Sequence, residues 1–272
     1  MKEFFGIGGY TREPEGYFSW QHLVFVTVLM IIMVAAAILL GKRFKNSDIK
    51  CKNRVILVSA IIMDFLELVK IVLRCVEYKS ITEVFYVLPL FLCSIQLITI
   101  PLAALSCGRV KEASLDFIMI FGVLGAVLGT YAAGNNYAAY PVLSYTNVGS
   151  GLTHAISGFV AIYIGTVGLT SLKKKNIYIT YTILFSFCIS AYIANIFTDC
   201  NYMFLSRGDG TPYDIIYNLV NGNKVLYPLI VVLLFVIYIA AFYYIYYFIK
   251  AKKEKNKTAS ECKEADVEAV NV

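Results

Sequence analysis

Two side chains that could act as a nucleophile and a base lie inside apolar stretches of the sequence. Cys93 occurs in LPLFLCSIQ, on the same predicted helical face as Gln96, and His154 occurs in SGLTHAISGF. A thiol becomes a nucleophile where a base or a positive field favours the thiolate, and an imidazole can be that base. An apolar-flanked cysteine is otherwise an inert small side chain. Cys93 and His154 therefore predict nucleophilic catalysis only if their faces converge.

A second group of ionisable residues follows one face of a predicted helix. Asp64, Glu67, Lys70 and Arg74 are separated by steps of three, three and four residues, which places them on one side at about 100° per residue. Glu67 and Lys70 can form an ion pair. Charges at membrane depth usually face a cavity or a partner inside a helix bundle. Structural pairing between helices and a direct substrate role are both open interpretations of this face.

The elements that must position these residues are predicted to be transmembrane helices. The chain is 59% hydrophobic and 15% charged, whereas soluble domains are roughly a quarter charged. A helix of about 20 apolar residues crosses a bilayer. Residues 18–250 therefore predict an all-α, seven-helix transmembrane bundle. The approximate spans are 18–41, 55–76, 84–105, 115–133, 148–172, 177–198 and 225–249.

The distribution of basic residues predicts the orientation of this bundle. Lys and Arg accumulate on the cytoplasmic side of membrane proteins, and 17 of the 24 basic residues fall on one predicted side. They lie in 42–54, 106–114, 173–175 and 250–263. The pattern predicts an extracellular N-terminal segment over 1–17 and a disordered, polar cytoplasmic tail over 251–272. We expect a multi-pass protein of the cell membrane.

The predicted orientation also gives each polar residue a depth. Counted from the outer helix ends at about 1.5 Å per residue, Cys93 lies roughly 13 Å deep, His154 about 9 Å and Glu67 about 14 Å. His22 and Asn195 fall near the outer ends of the first and sixth helices. We therefore expect one cavity in the outer half of the bundle to hold these residues.

Small residues form two predicted packing seams. Such seams allow helices to approach closely in membranes. Close packing accounts for the glycines but not for an imidazole within a span, which indicates a functional role for His154. The fifth helix contributes Gly158, Ala161, Gly165 and Gly168, and the fourth contributes Gly122, Ala126 and Gly129.

Several longer stretches resemble a known family. They are LPLFLCSIQ at 88–96, YPVLSYTNVGSGLTHAISG at 140–158 and NIFTDCNYMFLSRGDGTPYD at 195–214, with a glycine-rich fourth helix between them. Over about residues 18–248 the chain is similar to the YwaF-like integral membrane family of bacteria. That family is related to a eukaryotic transmembrane cysteine acyltransferase that remodels ether phospholipids. Arg207–Gly208–Asp209–Gly210 departs from the Pro-containing loop of many bacterial members.

The resemblance implies roles for individual residues. It identifies Cys93 as the acyl-carrying nucleophile and His154 as its partner. In such a mechanism Gln96 or Lys70 would steady the oxyanion of the intermediate, and Glu67 would orient Lys70. The resemblance implies only a cavity-lining role for a further set, which is His22, Glu67, Lys70 and the segment Asn201–Tyr202–Met203–Phe204–Leu205.

Functions of different classes remain open at this stage. The leading hypothesis is a membrane-embedded acyltransferase or lipid hydrolase that acts on phospholipids through a Cys93 thioester. The alternative is a non-catalytic transporter or small-molecule-binding membrane protein that uses the Glu67/Lys70 face, which inverted repeats or interrupted half-helices would support. A receptor or assembly factor ranks last because the short loops offer little surface. Retinal chemistry is disfavoured because the last span has no lysine before Lys250.

The composition also bounds the ligands. Seven cysteines and two histidines show no metal-ligand spacing, so we expect no metal and no cofactor. The expected partners are membrane lipids, and the net charge of +6 reflects orientation and inner-leaflet attraction, with no nucleic acid implied. Cys75 and Cys200 both fall near the predicted outer surface, where they are free or joined in a disulfide.

Overall fold

The computed structural model describes the backbone of residues 1–169 and 172–270, and every regular element in these ranges is helical. The predicted all-α class is confirmed. The α-helices are α1 (Trp20–Phe44), α2 (Ile49–Tyr78), α3 (Gln96–Leu105), α4 (Gly108–Tyr131), α5 (Gly134–Ala139), α6 (Tyr145–Thr166), α7 (Ile177–Phe197), α8 (Tyr213–Leu219) and α9 (Leu226–Val270). Short 3₁₀ turns occupy Ile81–Tyr86, Lys174–Asn176 and Tyr202–Phe204.

Five helical segments within the described ranges are long and apolar enough to cross a membrane. They are Trp20–Phe44, Gly108–Ala139, Tyr145–Thr166, Lys174–Phe197 and Leu226–Lys252. Two predicted spans fall outside this set. Helix α2 has 30 residues but carries the charged face of the second predicted span, and α3 has only 10 residues. The chain is an integral membrane protein with at least these apolar helices.

The third predicted span is not a continuous helix. After the 3₁₀ turn at Ile81–Tyr86, residues 87–95 form irregular backbone and turns, and α3 begins only at Gln96. Pro89 explains part of the interruption, because proline lacks an amide donor and disfavours helical backbone at the preceding residue. Cys93 therefore precedes α3 and does not share a helical face with Gln96, contrary to the prediction.

The two small-residue seams pack against each other. Helices α4 and α6 make the most extensive contact in the bundle, followed by α1 and α6. A Cβ built on Gly122 would lie 2.7 Å from the Cβ of Ala161, and one on Gly158 would lie 2.7 Å from the Cβ of Ala126. Larger residues at these glycines would force the helices apart. The contact is looser at Gly165, where a Cβ would lie 3.6 Å from Cε of Met119 on α4, and Gly168 follows the end of α6.

The N-terminal segment is bonded to the start of α6 and the loop before it. The Phe4 carbonyl accepts a hydrogen bond from the Tyr145 amide at 2.7 Å. The Glu15 carboxylate accepts one from the Val142 amide at 2.8 Å. The first 17 residues are therefore part of the folded structure and cover one end of the bundle.

The C-terminal tail is helical where the sequence predicts disorder. Helix α9 begins at Leu226 and continues through Val270. The tail sequence is rich in Ala, Glu and Lys, which are good helix formers. Residues 271–272, and residues 170–171 of the predicted span 148–172, lie outside the described residues.

Candidate active site

A cavity forms where α2, the irregular segment 87–95, α3 and α6 meet. The cavity has a volume of about 30 Å³ for a molecule the size of water, and it is partly open to the surroundings. The cavity contains a thiol, an imidazole, an ion pair and three hydroxyls beside apolar side chains. Its lining residues are Met63, Glu67, Lys70, Cys93, Ser94, Leu97, Ser150, Thr153 and His154.

Cys93 and His154 face each other in this cavity. The thiol comes from the turn that precedes α3, and the imidazole projects from α6, 61 positions later in the chain. The two side chains line the same cavity and are close enough to interact electrostatically. The interruption of the third span does not separate them, so the convergence that nucleophilic catalysis needs is present.

A backbone contact sets the tautomer of His154. Its Nδ1 lies 2.7 Å from the carbonyl oxygen of Ser150, one turn earlier on α6. A carbonyl oxygen only accepts hydrogen bonds, so Nδ1 carries a proton and donates. In the neutral ring the other nitrogen, Nε2, is then an acceptor. The Ser150 contact thus leaves His154 able to take a proton from a neighbouring group.

Two glycines of α4 make room for the pair. A Cβ built on Gly125 would contact the Cβ of Cys93 at 3.4 Å. One turn along, a Cβ on Gly129 would overlap Cδ2 and Nε2 of His154. Gly129 belongs to the predicted packing seam, whereas Gly125 was not predicted, although their four-residue spacing places both on one helical face. These glycines let the backbone of α4 approach the side chains of Cys93 and His154 closely.

Glu67 and Lys70 form the predicted ion pair, with Lys70 Nζ 2.5 Å from Glu67 Oε1. Their side chains are 13% and 30% exposed, respectively. The Lys70 ammonium is close enough to interact electrostatically with both Cys93 and His154. The three-residue spacing on α2 thus predicted the ion pair, and this pair forms the charged wall of the cavity.

The other two members of the charged face lie outside the cavity. The Arg74 guanidinium pairs with Glu83 at 2.8 Å and lies over the Tyr78 ring, 5.2 Å from its centroid. Asp64 Oδ1 is buried without a hydrogen-bond partner among the described residues. Of the four residues on the predicted face, only the central two, Glu67 and Lys70, line the cavity.

Gln96 does not line the cavity, contrary to the prediction. Its side chain is fully buried, and Oε1 accepts a hydrogen bond from the Thr99 hydroxyl at 2.9 Å. Within the described chain its Nε2 has no hydrogen-bond partner. The late start of α3 explains the difference, since Cys93 and Gln96 do not follow a common helical face. Ser94 and Leu97 line the cavity instead, and no signal in the sequence distinguished them.

His22 is buried and connects two helices, and it does not line the cavity. Its ring stacks on Tyr137 with centroids 3.8 Å apart. Its Nδ1 accepts a hydrogen bond from the Phe18 amide at 3.3 Å, and Nε2 lies 3.1 Å from the Thr130 carbonyl. That carbonyl is in the last turn of α4, where main-chain acceptors lack helical partners. His22 thereby joins the start of α1 to the end of α4.

Asn195, Asn201 and Tyr202 also lie away from the cavity. Asn195 exchanges two hydrogen bonds with the backbone of Tyr202, at 2.7 and 3.0 Å. The Asn201 side chain bonds the loop that contains Arg207 and Asp209. These residues organise the connection between α7 and α8. Their positions in the sequence did not distinguish this structural role from a cavity-lining role.

No group of three or more His, Cys, Asp or Glu side chains that could hold a metal ion occurs in the described part of the chain. In the same described part of the chain, Cys75 and Cys200 are both free thiols. The polar groups of the cavity are a thiol, an imidazole, hydroxyls and one ion pair. Such a set can perform proton transfer and covalent acyl chemistry with protein side chains alone.

Comparison with known proteins gives one result at the level of the family. No curated protein and no solved structure matches the chain. The family model of the TMEM164 family matches residues 17–246. This range contains α1 to α8, the interrupted third segment, the cavity and most of the apolar part of α9. The match extends over well more than half of the 272 residues, and the chain therefore belongs to the TMEM164 family.

Proposed function

We propose that this protein is a membrane-embedded lipid acyltransferase that transfers an acyl chain between phospholipids through a thioester on Cys93. The observation that carries the proposal is the pairing of Cys93 with His154, whose Nδ1 is held by the Ser150 carbonyl. Nucleophile, base and an orienting group for the base are the three parts that covalent acyl transfer requires. The resemblance to YwaF-like proteins and their acyltransferase relative supports the same assignment.

The proposal includes the full topology. The chain crosses the cell membrane seven times, with its N-terminus outside and its C-terminus in the cytoplasm. Helix α2 is 30 residues long, which is enough to span, and the charges of such a helix face a cavity or ion-pair partners. Residues 87–94 of the interrupted third span are half-buried against the rest of the bundle, and membranes tolerate irregular backbone where protein or a cavity shields it from lipid. In this orientation the cavity lies in the outer half of the bundle.

The first half-reaction forms the thioester. Nε2 of His154 takes the thiol proton, and the Cys93 thiolate attacks the ester carbonyl of a phospholipid to give a tetrahedral oxyanion. Collapse of this intermediate breaks the bond between the carbonyl carbon and the glycerol oxygen. The leaving lysophospholipid oxygen takes the proton from the His154 imidazolium. The acyl group is then held on sulfur.

The second half-reaction reverses these steps with a new acceptor. The hydroxyl of a lysophospholipid gives its proton to His154 and attacks the thioester. The carbon–sulfur bond breaks, and the thiolate recovers the proton from the imidazolium. A cavity that excludes water favours transfer to the lipid hydroxyl over hydrolysis.

Lys70 is the better candidate for stabilising the oxyanion. Its ammonium lines the cavity with Cys93, whereas the Gln96 amide does not. A fixed positive charge near the developing oxyanion lowers the barrier, more strongly in a site with little water. Glu67 holds the Lys70 ammonium through the ion pair. Together they act as a preorganised charged wall.

The test uses purified protein in liposomes that contain a labelled phospholipid donor and an unlabelled lysophospholipid. We expect wild-type protein to move the label and to form a hydroxylamine-sensitive acyl adduct on Cys93, detected by mass spectrometry. Cys93→Ala and His154→Ala should lose both signals. Cys107→Ala is the matched control, because Cys107 is an exposed thiol remote from the cavity. Label transfer that survives in Cys93→Ala would overturn the proposal.

A second candidate function is a non-catalytic transporter that uses the Glu67/Lys70 face. The interruption of the third span favours it, because transporters build binding sites from broken helices. Uptake of a solute into proteoliposomes that is lost in Glu67→Gln but retained in Cys93→Ala would support transport. If instead the protein transfers acyl chains and Cys93→Ala abolishes that transfer, transport is excluded as the main activity.

A further inference from the structure

The irregular segment 87–95 presents a hydrogen-bonding problem. Main-chain amides and carbonyls that leave a helix lose their regular partners, and burying them unpaired costs free energy. The cost is largest in a membrane, where water is not at hand. The segment carries Cys93, so whatever satisfies its backbone also sets where the thiol lies.

Tyr202 supplies partners on the approach to this segment. Its hydroxyl donates to the Phe85 carbonyl at 2.7 Å and accepts from the Leu88 amide at 3.1 Å. One hydroxyl therefore bridges the last turn of the 3₁₀ helix and the residue before Pro89. The Tyr202 ring also packs edge-on against Phe91, with centroids 5.1 Å apart. These contacts reach within two residues of the thiol.

Tyr202 is itself rigidly held. Its side chain is fully buried, and its own amide and carbonyl are both bonded to Asn195 of α7. The adjoining residue Met203 is in the left-handed region at φ 56°, a conformation that needs such surrounding support. The connection after α7 thus presents a fixed hydroxyl to the interrupted third span.

We propose that Tyr202 is a positioning residue that holds Cys93 opposite His154 by bonding the interrupted backbone at Phe85 and Leu88. This inference rests on the proposed function, in which the Cys93–His154 pair is the reactive centre. Tyr202 contacts neither the cavity nor the reacting atoms. It acts through the main chain that carries the thiol.

The test measures the intrinsic reactivity of Cys93 and does not require acyl transfer. The full chain in detergent is treated with iodoacetamide between pH 6 and 10, and alkylation of Cys93 is followed by peptide mass spectrometry. Tyr202→Phe keeps the ring and removes only the bridging hydroxyl. We expect its pH profile to become that of His154→Ala, with alkylation at pH 7 slowed by about tenfold relative to wild type.

Tyr238→Phe is the matched control. The Tyr238 hydroxyl donates to a carbonyl of α4, that of Ile120, at 2.8 Å, so the same chemical change is made away from the third span. Its profile should remain that of wild type. A general loosening of the fold would alter both tyrosine variants, whereas a positioning role alters only Tyr202→Phe.

The outcomes separate the two proposals. A wild-type profile in His154→Ala would overturn the reactive pair itself. A changed profile in His154→Ala with a wild-type profile in Tyr202→Phe would overturn only the role of Tyr202. If Tyr202→Phe does not fold, Asn195→Ala replaces it, because that variant keeps the hydroxyl but releases the Tyr202 backbone. A smaller slowing is then expected, and an unchanged profile contradicts the inference.

Discussion

Gly129 of α4 faces the His154 imidazole so closely that no space for a methyl group exists between them. This relationship connects helix packing with chemistry. The ring is held on one side by the Ser150 carbonyl at 2.7 Å and on the other by the bare backbone of α4. A larger residue at position 129 cannot be accommodated unless the imidazole moves.

Gly129→Ala is therefore expected to lower the rate of acyl transfer strongly and the thermal unfolding midpoint only slightly. The added methyl group overlaps Cδ2 and Nε2 of His154 and turns the ring away from Cys93. Misplacement of a catalytic group by about 1 Å can cost about 100-fold in rate. Label transfer in liposomes measures the rate, and thermal unfolding in detergent measures the stability.

Gly165→Ala is the control for this change. A Cβ at position 165 would contact only the Cε atom of Met119, at 3.6 Å. The same substitution on the partner helix should leave transfer unchanged. Equal losses in the two variants would mean that Gly129 matters for packing alone.

His154→Gln tests the base separately from the bulk of the ring. The amide still fills part of the cavity and can bond the Ser150 carbonyl, but it cannot accept the thiol proton. Loss of a general base typically costs about 10²- to 10⁴-fold in rate. Initial rates of thioester formation between pH 6 and 10 are the measurement. The variant's rate should climb with pH as hydroxide replaces the imidazole, and a flat profile at the wild-type rate would contradict the assignment.

The residues that line the cavity were easier to predict than the backbone that positions them. Cys93 and His154 could be singled out because ionisable side chains are rare inside apolar spans. Glu67 and Lys70 could be paired because their spacing is a property of one helix. Both inferences depend on local pattern, which a single sequence contains.

The framework around Cys93 depends on tertiary contacts that no local pattern reveals. Pro89 indicates a distortion, but the irregular backbone extends over 87–95, next to the main-chain groups that Tyr202 bonds. Leu88 and Tyr202 are 114 residues apart, so the interrupted span could not be predicted from residues 84–105 alone. Gln96 was misplaced for the same reason.

His22 was also misplaced because local pattern does not reveal tertiary contacts. By residue type and depth it resembled a member of the site, because a histidine within an apolar span indicates function. Its partners, Tyr137 and the Thr130 carbonyl, lie more than a hundred positions along the chain. Only the folded structure distinguishes a histidine that ties two helices together from one that faces a cavity.

Lys70→Met is expected to lower the rate of acyl transfer while the protein still binds lipid. The substitution removes the ammonium from the cavity wall but keeps a side chain of similar length. Loss of one group that stabilises an oxyanion costs about 100-fold or more in turnover. Lys70→Arg should recover part of the rate because it restores the positive charge beside Glu67. The measurement is the turnover of labelled phospholipid in liposomes.

Lys173→Met is the control for this substitution, since Lys173 forms an ion pair with Glu112 away from the cavity. Its turnover should equal that of wild type. Equal turnover in Lys70→Met and wild type would remove Lys70 from the mechanism.

His22→Ala is expected to destabilise the protein without changing the chemistry of the folded fraction. The substitution removes the ring that stacks on Tyr137 and leaves the buried Thr130 carbonyl without its partner. A cavity of this kind together with a lost buried hydrogen bond costs about 3 kcal/mol. Thermal unfolding in detergent should show a lower midpoint, while label transfer per folded molecule stays at the wild-type value. A variant of normal stability that has lost transfer would instead place His22 in the reaction.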